Sequence, residues 1–190
     1  ISIGAGLLAF YADNIYMNEL PNYSALLGTE FSNSDILSIL KEYEHKVDYV
    51  CLDKKDVLET AVSKLVDNEI IGWFQGRMEF GPRALGGRSI LGDPTSDKMQ
   101  KILNLKVKYR ESFRPFAPSV LREKVGEWFE LDESSPYMLL VSKVKEEKIL
   151  KMSKKEEELF GIEKLNIKRS EIPAVTHVDY TARIQTVHKE

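Results

Sequence analysis

Cys51 and three histidines, His45, His177 and His188, are all that this 190-residue sequence offers of the usual thiol and imidazole ligands. A lone cysteine excludes an internal disulfide and any multi-cysteine zinc centre, and it suits a reducing, cytoplasmic setting. The histidines form no His-x-x-x-His or Glu-x-x-His spacing, so the sequence predicts no self-contained metal site. Long apolar runs are equally scarce. The longest, residues 1–12, stops at Asp13 and is too short for the ~20 residues of a membrane-crossing helix. It also lacks a basic flank and a small-residue cleavage site, so it does not read as a secretory signal. No methionine opens the chain, and the expectation is an excised fragment.

What is present is ordinary for a globular protein: 43% hydrophobic and 30% charged residues, with 11 Gly and 7 Pro. At ~150 residues per domain, the length predicts one domain with an appendage. The net charge of −3 conceals a strong asymmetry. Residues 76–122 hold ten basic against four acidic side chains, or +6, and the remainder holds 17 against 26, or −9. Six of the eleven glycines, Gly72, Gly76, Gly81, Gly86, Gly87 and Gly92, lie in or beside the positive segment. Permissive backbone next to cations points to an anion site.

The pattern of elements is mixed α/β. Small and apolar residues from Ile1 to Leu20 suit a buried helix. Ser32 and Asp35 read as a capping box ahead of an apolar face at Ile36, Leu37, Leu40 and Tyr43. Tyr49 to Leu52 reads as a strand, Val57 to Val66 as a helix, and Ile70 to Phe74 as a buried strand. Ser96 to Val107 predicts another helix and Tyr137 to Val144 another strand. Lys145 to Glu171, with eight basic and seven acidic residues, reads as a solvated helical insertion without chemistry. The β-branched string AVTHVDYTARIQTV predicts a return to the sheet as one or two strands.

The chemistry concentrates in GWFQGRMEFGPRALGGRSILGDP, residues 72–94, where a strand gives way to glycines and prolines interleaved with Arg77, Arg83 and Arg88. A guanidinium makes two parallel charge-assisted bonds to phosphate or carboxylate, which lysine cannot do. A second cluster, NLKVKYRESFRPFAPSV, adds Lys106, Lys108, Arg110 and Arg114, stiffened by Pro115 and Pro118. Extended backbone would put Lys106, Lys108 and Arg110 on one side, whereas a helix would spread them. The alternative is ordinary surface pairing, such as Glu79 with Arg83 or Glu111 with Arg114. Such pairs contribute at most ~1 kcal/mol and require no surrounding glycines or prolines. The glycine spacing matches neither a Walker loop nor the dinucleotide fingerprint.

MEFGPRALGGRSILGDP, NLKVKYRESFRPFAPSV and PAVTHVDYTARIQTV resemble three signature stretches of the C-terminal region of O-carbamoyltransferases, the enzymes that carbamoylate nodulation factors and antibiotics. The likeness runs from about Val47 to Glu190. It implies residues 1–46 as the end of a preceding Kae1-like, actin-related domain and residues 47–190 as a YrdC-like α/β domain of mixed sheet and flanking helices. A YrdC-like domain of this family uses carbamoyl phosphate and ATP with magnesium to form carbamoyladenylate, releasing phosphate and pyrophosphate. The Kae1-like domain then transfers the carbamoyl group to an acceptor hydroxyl and holds the family's iron, whose ligands would lie upstream of Ile1.

By the same resemblance Arg83, Lys108 and Arg114 fall on the positions expected to do the chemistry. Arg77, Arg88, Arg110 and Arg183 fall on, or close to, phosphate and nucleotide contacts, and His177 is a lesser candidate for orienting the adenylate. ATP brings about −4 and carbamoyl phosphate about −2, a repulsion that the +6 segment is suited to offset. The sequence departs from the family at four places: Gly87 for Asn, Gly92 for Ala, Ser112 for Pro and Tyr180 for Gly. The first three read as small changes. Tyr180 would be strained if the family's glycine has a positive φ. Two alternatives stay open: an RNA-binding module using the same basic face, although the overall charge argues against nucleic acid as the partner, and a threonylcarbamoyladenylate-synthase-like tRNA-modification module. No membrane partner is expected.

Overall fold

A computed structural model describes residues 24–165 and 167–188. The helix expected over Ile1 to Leu20 lies outside them. The Ser32–Asp35 capping box forms as read: Ser32 Oγ accepts from Asp35 N–H at 3.2 Å, and Asp35 Oδ2 accepts from Ser32 N–H at 2.9 Å. Helix α1 (Asn33–Glu42) follows. Asp53 caps α2 (Lys54–Val66) by accepting from Asp56 N–H at 2.9 Å. Neither helix has a buried residue.

No strand forms at Tyr49 to Leu52, where Val50 is 79% exposed. β-branched composition makes a strand only beside another strand, and none of the described strands pairs there. β1 (Ile71–Phe74) pairs antiparallel with β2 (Arg88–Leu91), Phe74 opposite Arg88. Its residues alternate between half-buried and exposed, whereas the apolar run suggested a fully buried strand. The helix expected over Ser96 to Val107 is α3 (Met99–Ile102), which widens into a π-helical turn at Leu103–Val107. Lys106, Lys108 and Arg110 therefore do not lie on an extended strand.

β3 (Ser119–Leu121), α4 (Val125–Trp128) and β4 (Val141–Lys143) come next. The charged stretch forms a short 3-10 turn and two short helices, α5 (Lys154–Glu157) and α6 (Ile162–Leu165). Its end departs from the expectation of a solvated insertion: Arg169 is 3% exposed and Ser170 fully buried, paired with Ile149. The last signature string returns as expected in two strands, β5 (Thr181–Arg183) antiparallel to β4 and β6 (Gln185–Val187) parallel to β3. Only Ile184 separates them.

Two apolar clusters hold this mixed α/β arrangement. One gathers Val125, Phe129, Val144, Ile172, Val175, Ala182 and Ile184, the other Met99, Leu103 and Ala174, and Phe116 packs against both. Alternation along β5 and β6 buries Ala182 and Ile184 completely and turns Arg183 away from that core. Among the described residues no helix is long and apolar enough to cross a membrane.

Candidate functional site

The loop between β1 and β2 is built around Glu79. This carboxylate is 8% exposed, and its Oε1 accepts from the backbone N–H groups of Leu85 at 2.6 Å, Gly87 at 2.7 Å and Arg88 at 3.2 Å. Burial pushes its pKa up, but the N–H groups of Leu85, Glu79, Arg88 and Gly87 together outweigh that and hold it below the ordinary value. The surface pair of Glu79 with Arg83 does not form. Gly87 is required by a close approach, since a Cβ there would stand 2.5 Å from the carbonyl oxygen of Arg77. The departure from the family's Asn at this position is therefore not a small one in this chain.

Leaving Glu79 to the backbone frees Arg83. The structure brings Arg83 close enough to Arg183 for its charge, after burial, to push the Arg183 pKa down. Both Nε atoms are buried without a hydrogen-bond partner, and among the described residues neither guanidinium has a carboxylate within ion-pair distance. An unpaired buried donor costs about 1–3 kcal/mol, more when charged. Two such donors on like-charged neighbours make this pair a candidate anion site.

Arg169, which like Arg183 acts on His177, is a further cation that the sequence reading missed. Its Nη1 donates to the Thr176 carbonyl at 3.2 Å and its Nη2 to the Lys164 carbonyl, with no ion-pairing carboxylate among the described residues. Thr176 is itself fixed, its Oγ1 donating to the Ile172 carbonyl at 2.9 Å. Arg169, Thr176, His177 and Asp179 line an open cleft of about 550 Å³, with Phe113 and Pro115 also among its lining residues.

Burial pushes the His177 pKa down, Asp179 pulls it up, and Arg183 and Arg169 push it down again. Thr181 Oγ1 donates its one proton to Asp179 Oδ1 at 2.8 Å. It must therefore accept from His177 Nδ1–H at 3.2 Å, which leaves Nε2 of the neutral ring as an acceptor.

The other expected residues separate into two groups. Arg114 has its Nε on Glu111 Oε2 at 3.1 Å, the surface pair that the alternative reading of the sequence named, and its neighbours Phe113 and Pro115 line the cleft while Arg114 itself does not. Arg110 Nε donates to Asn104 Oδ1 at 2.7 Å, and its guanidinium lies 5.0 Å from the Phe116 ring centre. Lys108 is exposed, and among the described residues its side chain makes no hydrogen bond or ion pair. Arg77 and Arg88, by contrast, tie the loop to residues 28–30. Arg77 reaches Glu30 at 3.4 Å and the Gly28 carbonyl at 3.3 Å. Arg88 reaches the Thr29 carbonyl at 3.3 Å and stacks 3.4 Å above the Phe74 ring.

Tyr180 has φ +61°, the left-handed conformation that a glycine would adopt freely. For a residue with a side chain it costs roughly 1–2 kcal/mol. Among the described residues no three His, Cys, Asp or Glu side chains gather to hold a metal ion.

Comparison with known proteins gives the site its context. The chain is 54% identical over its whole length to an uncharacterised Synechocystis sp. protein, sll1178, of which it covers 31%. It is 45% identical to nodulation protein NolNO of Sinorhizobium fredii, over 70% of this chain and 17% of that protein. It is 39% identical to 3'-hydroxymethylcephem-O-carbamoyltransferase of Streptomyces clavuligerus, over 66% of this chain and 20% of the enzyme. The chain thus spans less than a third of the length of these curated relatives. Residues 62–190 match the family described as the carbamoyltransferase C-terminus, and the chain belongs to that family.

Proposed function

We propose that this chain is the carbamoyladenylate-forming part of an O-carbamoyltransferase, with a YrdC-like fold. The observation that carries the reading is the pair of unneutralised guanidiniums of Arg83 and Arg183, with His177 in electrostatic reach of both Arg183 and buried Arg169 and lining, with Arg169, an open cleft. Phosphoryl and nucleotidyl transfer rest mainly on positioning and charge stabilisation, and this site supplies both without a nucleophilic triad.

In the proposed reaction, water cleaves carbamoyl phosphate to carbamate and phosphate. A carbamate oxygen then attacks the α-phosphorus of magnesium-bound ATP, forming a P–O bond as the bond to pyrophosphate breaks. Arg83 and Arg183 hold phosphoryl oxygens, Arg169 adds charge from the cleft wall, and His177 Nε2 faces the adenylate. Arg114 and Lys108, with few internal ties, are suited to follow the triphosphate. Arg110, Arg77 and Arg88 shape the surrounding backbone. Transfer to an acceptor hydroxyl, and the iron that serves it, belong in this reading to a preceding Kae1-like domain. The exposed apolar side chains of α1 and α2, such as Ile39, Val62 and Val66, suit contact with such a neighbour.

Calorimetric titration of this chain with magnesium-ATP, with and without carbamoyl phosphate, tests the proposal. Saturable binding is expected, weakened about tenfold or more by Arg83→Ala and by Arg183→Ala, each the loss of a charge-assisted contact. Wild-type affinity in both variants would remove the pair from the site. Steeply salt-dependent binding of RNA, with no preference for ATP over other polyanions, would favour a nucleic-acid module.

A further inference from the structure

Three backbone N–H groups converging on one oxygen form the kind of nest that usually takes a phosphate. In the β1–β2 loop the nest is filled from within, by Glu79 Oε1 on Leu85, Gly87 and Arg88. The same loop is pinned from outside by Gln185 on β6. Its Nε2 donates to the Leu85 carbonyl at 3.0 Å, and its Oε1 accepts from Ser119 Oγ at 2.7 Å. Arg83 sits between Glu79 and this pinned end. The chain has thus placed a nearly buried carboxylate four residues from a half-buried arginine and denied the two a salt bridge.

We propose that Glu79 is the positioning residue of Arg83: by occupying the loop's own amide nest it fixes the backbone that aims Arg83 at Arg183, and it keeps the anion for those two guanidiniums. The proposal rests on the anion-site reading above. Glu79 touches no substrate and acts only through Arg83. Replacing the carboxylate by an amide can keep an oxygen in the nest but removes its charge, so three charge-assisted bonds become weaker neutral ones and the loop is held less firmly while the core stays intact.

The test is a double-mutant cycle on this chain, with Glu79→Gln, Arg83→Ala and both together, each checked for folding by circular dichroism and titrated calorimetrically with pyrophosphate. Glu79→Gln is expected to weaken pyrophosphate about tenfold in the unmodified chain and less than about twofold in the Arg83→Ala background. An equal loss in both backgrounds would overturn the positioning role, because a purely structural effect does not pass through Arg83. Should Glu79→Gln fail to fold, Glu79→Asp keeps the charge and shortens its reach, and the same cycle applies. No pyrophosphate binding by the unmodified chain would overturn the reading of the site itself. Binding by that chain with an unchanged constant in the Glu79 variants would overturn the role of Glu79 alone.

Discussion

His177 sits between opposing influences, and its titration reports the site. Burial and two arginines lower its pKa against the pull of Asp179, so the folded value lies below the ~6.5 of an unfolded chain. A depressed pKa means that His177 imposes no stability penalty above about pH 6.5. The penalty grows as pH falls from there toward the folded value, because the unfolded ring binds the proton first. The ring resonances should titrate with a midpoint below 6.5, and pyrophosphate should move that midpoint up by favouring the imidazolium. A midpoint unmoved by saturating anion would place His177 outside the site. Arg83 was legible as a candidate from charge and motif, and Arg183 only through the resemblance of its string, DYTARIQ, to the family. Arg169 was not, since its weight comes from burial by Thr176 and its neighbours, while the sequence around it reads as solvated charge. Tyr180 was legible only conditionally, and its φ of +61° settles the condition.

Among the elements, the π-helical turn at Leu103–Val107 is held by one fully buried amide. Asn104 Nδ2 donates to the carbonyls of Ser112 at 3.1 Å and Arg114 at 2.8 Å, and Oδ1 takes Arg110. Asn104→Leu roughly keeps the shape but strands the Ser112 carbonyl and Arg110 Nε, while the Arg114 carbonyl keeps Gln100 Nε2 at 3.2 Å, and it should cost about 2–4 kcal/mol in urea unfolding. Asn104→Asp keeps the acceptor for Arg110 and loses both donors, so it should fall between wild type and Asn104→Leu. A Leu variant as stable as wild type would show that the loop is held elsewhere. Local signals were the readable ones. The Ser32–Asp35 box and the apolar spacing of α2 each need only a few neighbouring residues. The strand expected at Tyr49 to Leu52 needed a partner that local pattern cannot supply. The π-turn needed the Asn104 contacts eight and ten residues away.

Across the whole molecule, apolar surface is unevenly covered. Val62 and Val66 are 60% and 70% exposed on a helix with no buried residue, beside Val57 and Leu58. Surface of this kind drives association. The double substitution Val62→Lys and Val66→Lys should reduce dye binding and light scattering by this chain while leaving ATP affinity unchanged. Undiminished scattering would locate the sticky surface elsewhere. The run 181–187 has the opposite character, since it belongs at once to the β4 ladder, the β3 ladder and the deepest apolar cluster. A slip of one residue would drive the Arg183 guanidinium into the place of Ala182 or Ile184 and bring one of those apolar side chains to the place of Arg183. With Arg183 in its proposed role, misthreaded molecules would be silent rather than weakly active, so that a single ligand titration would also count the correctly folded fraction of a preparation.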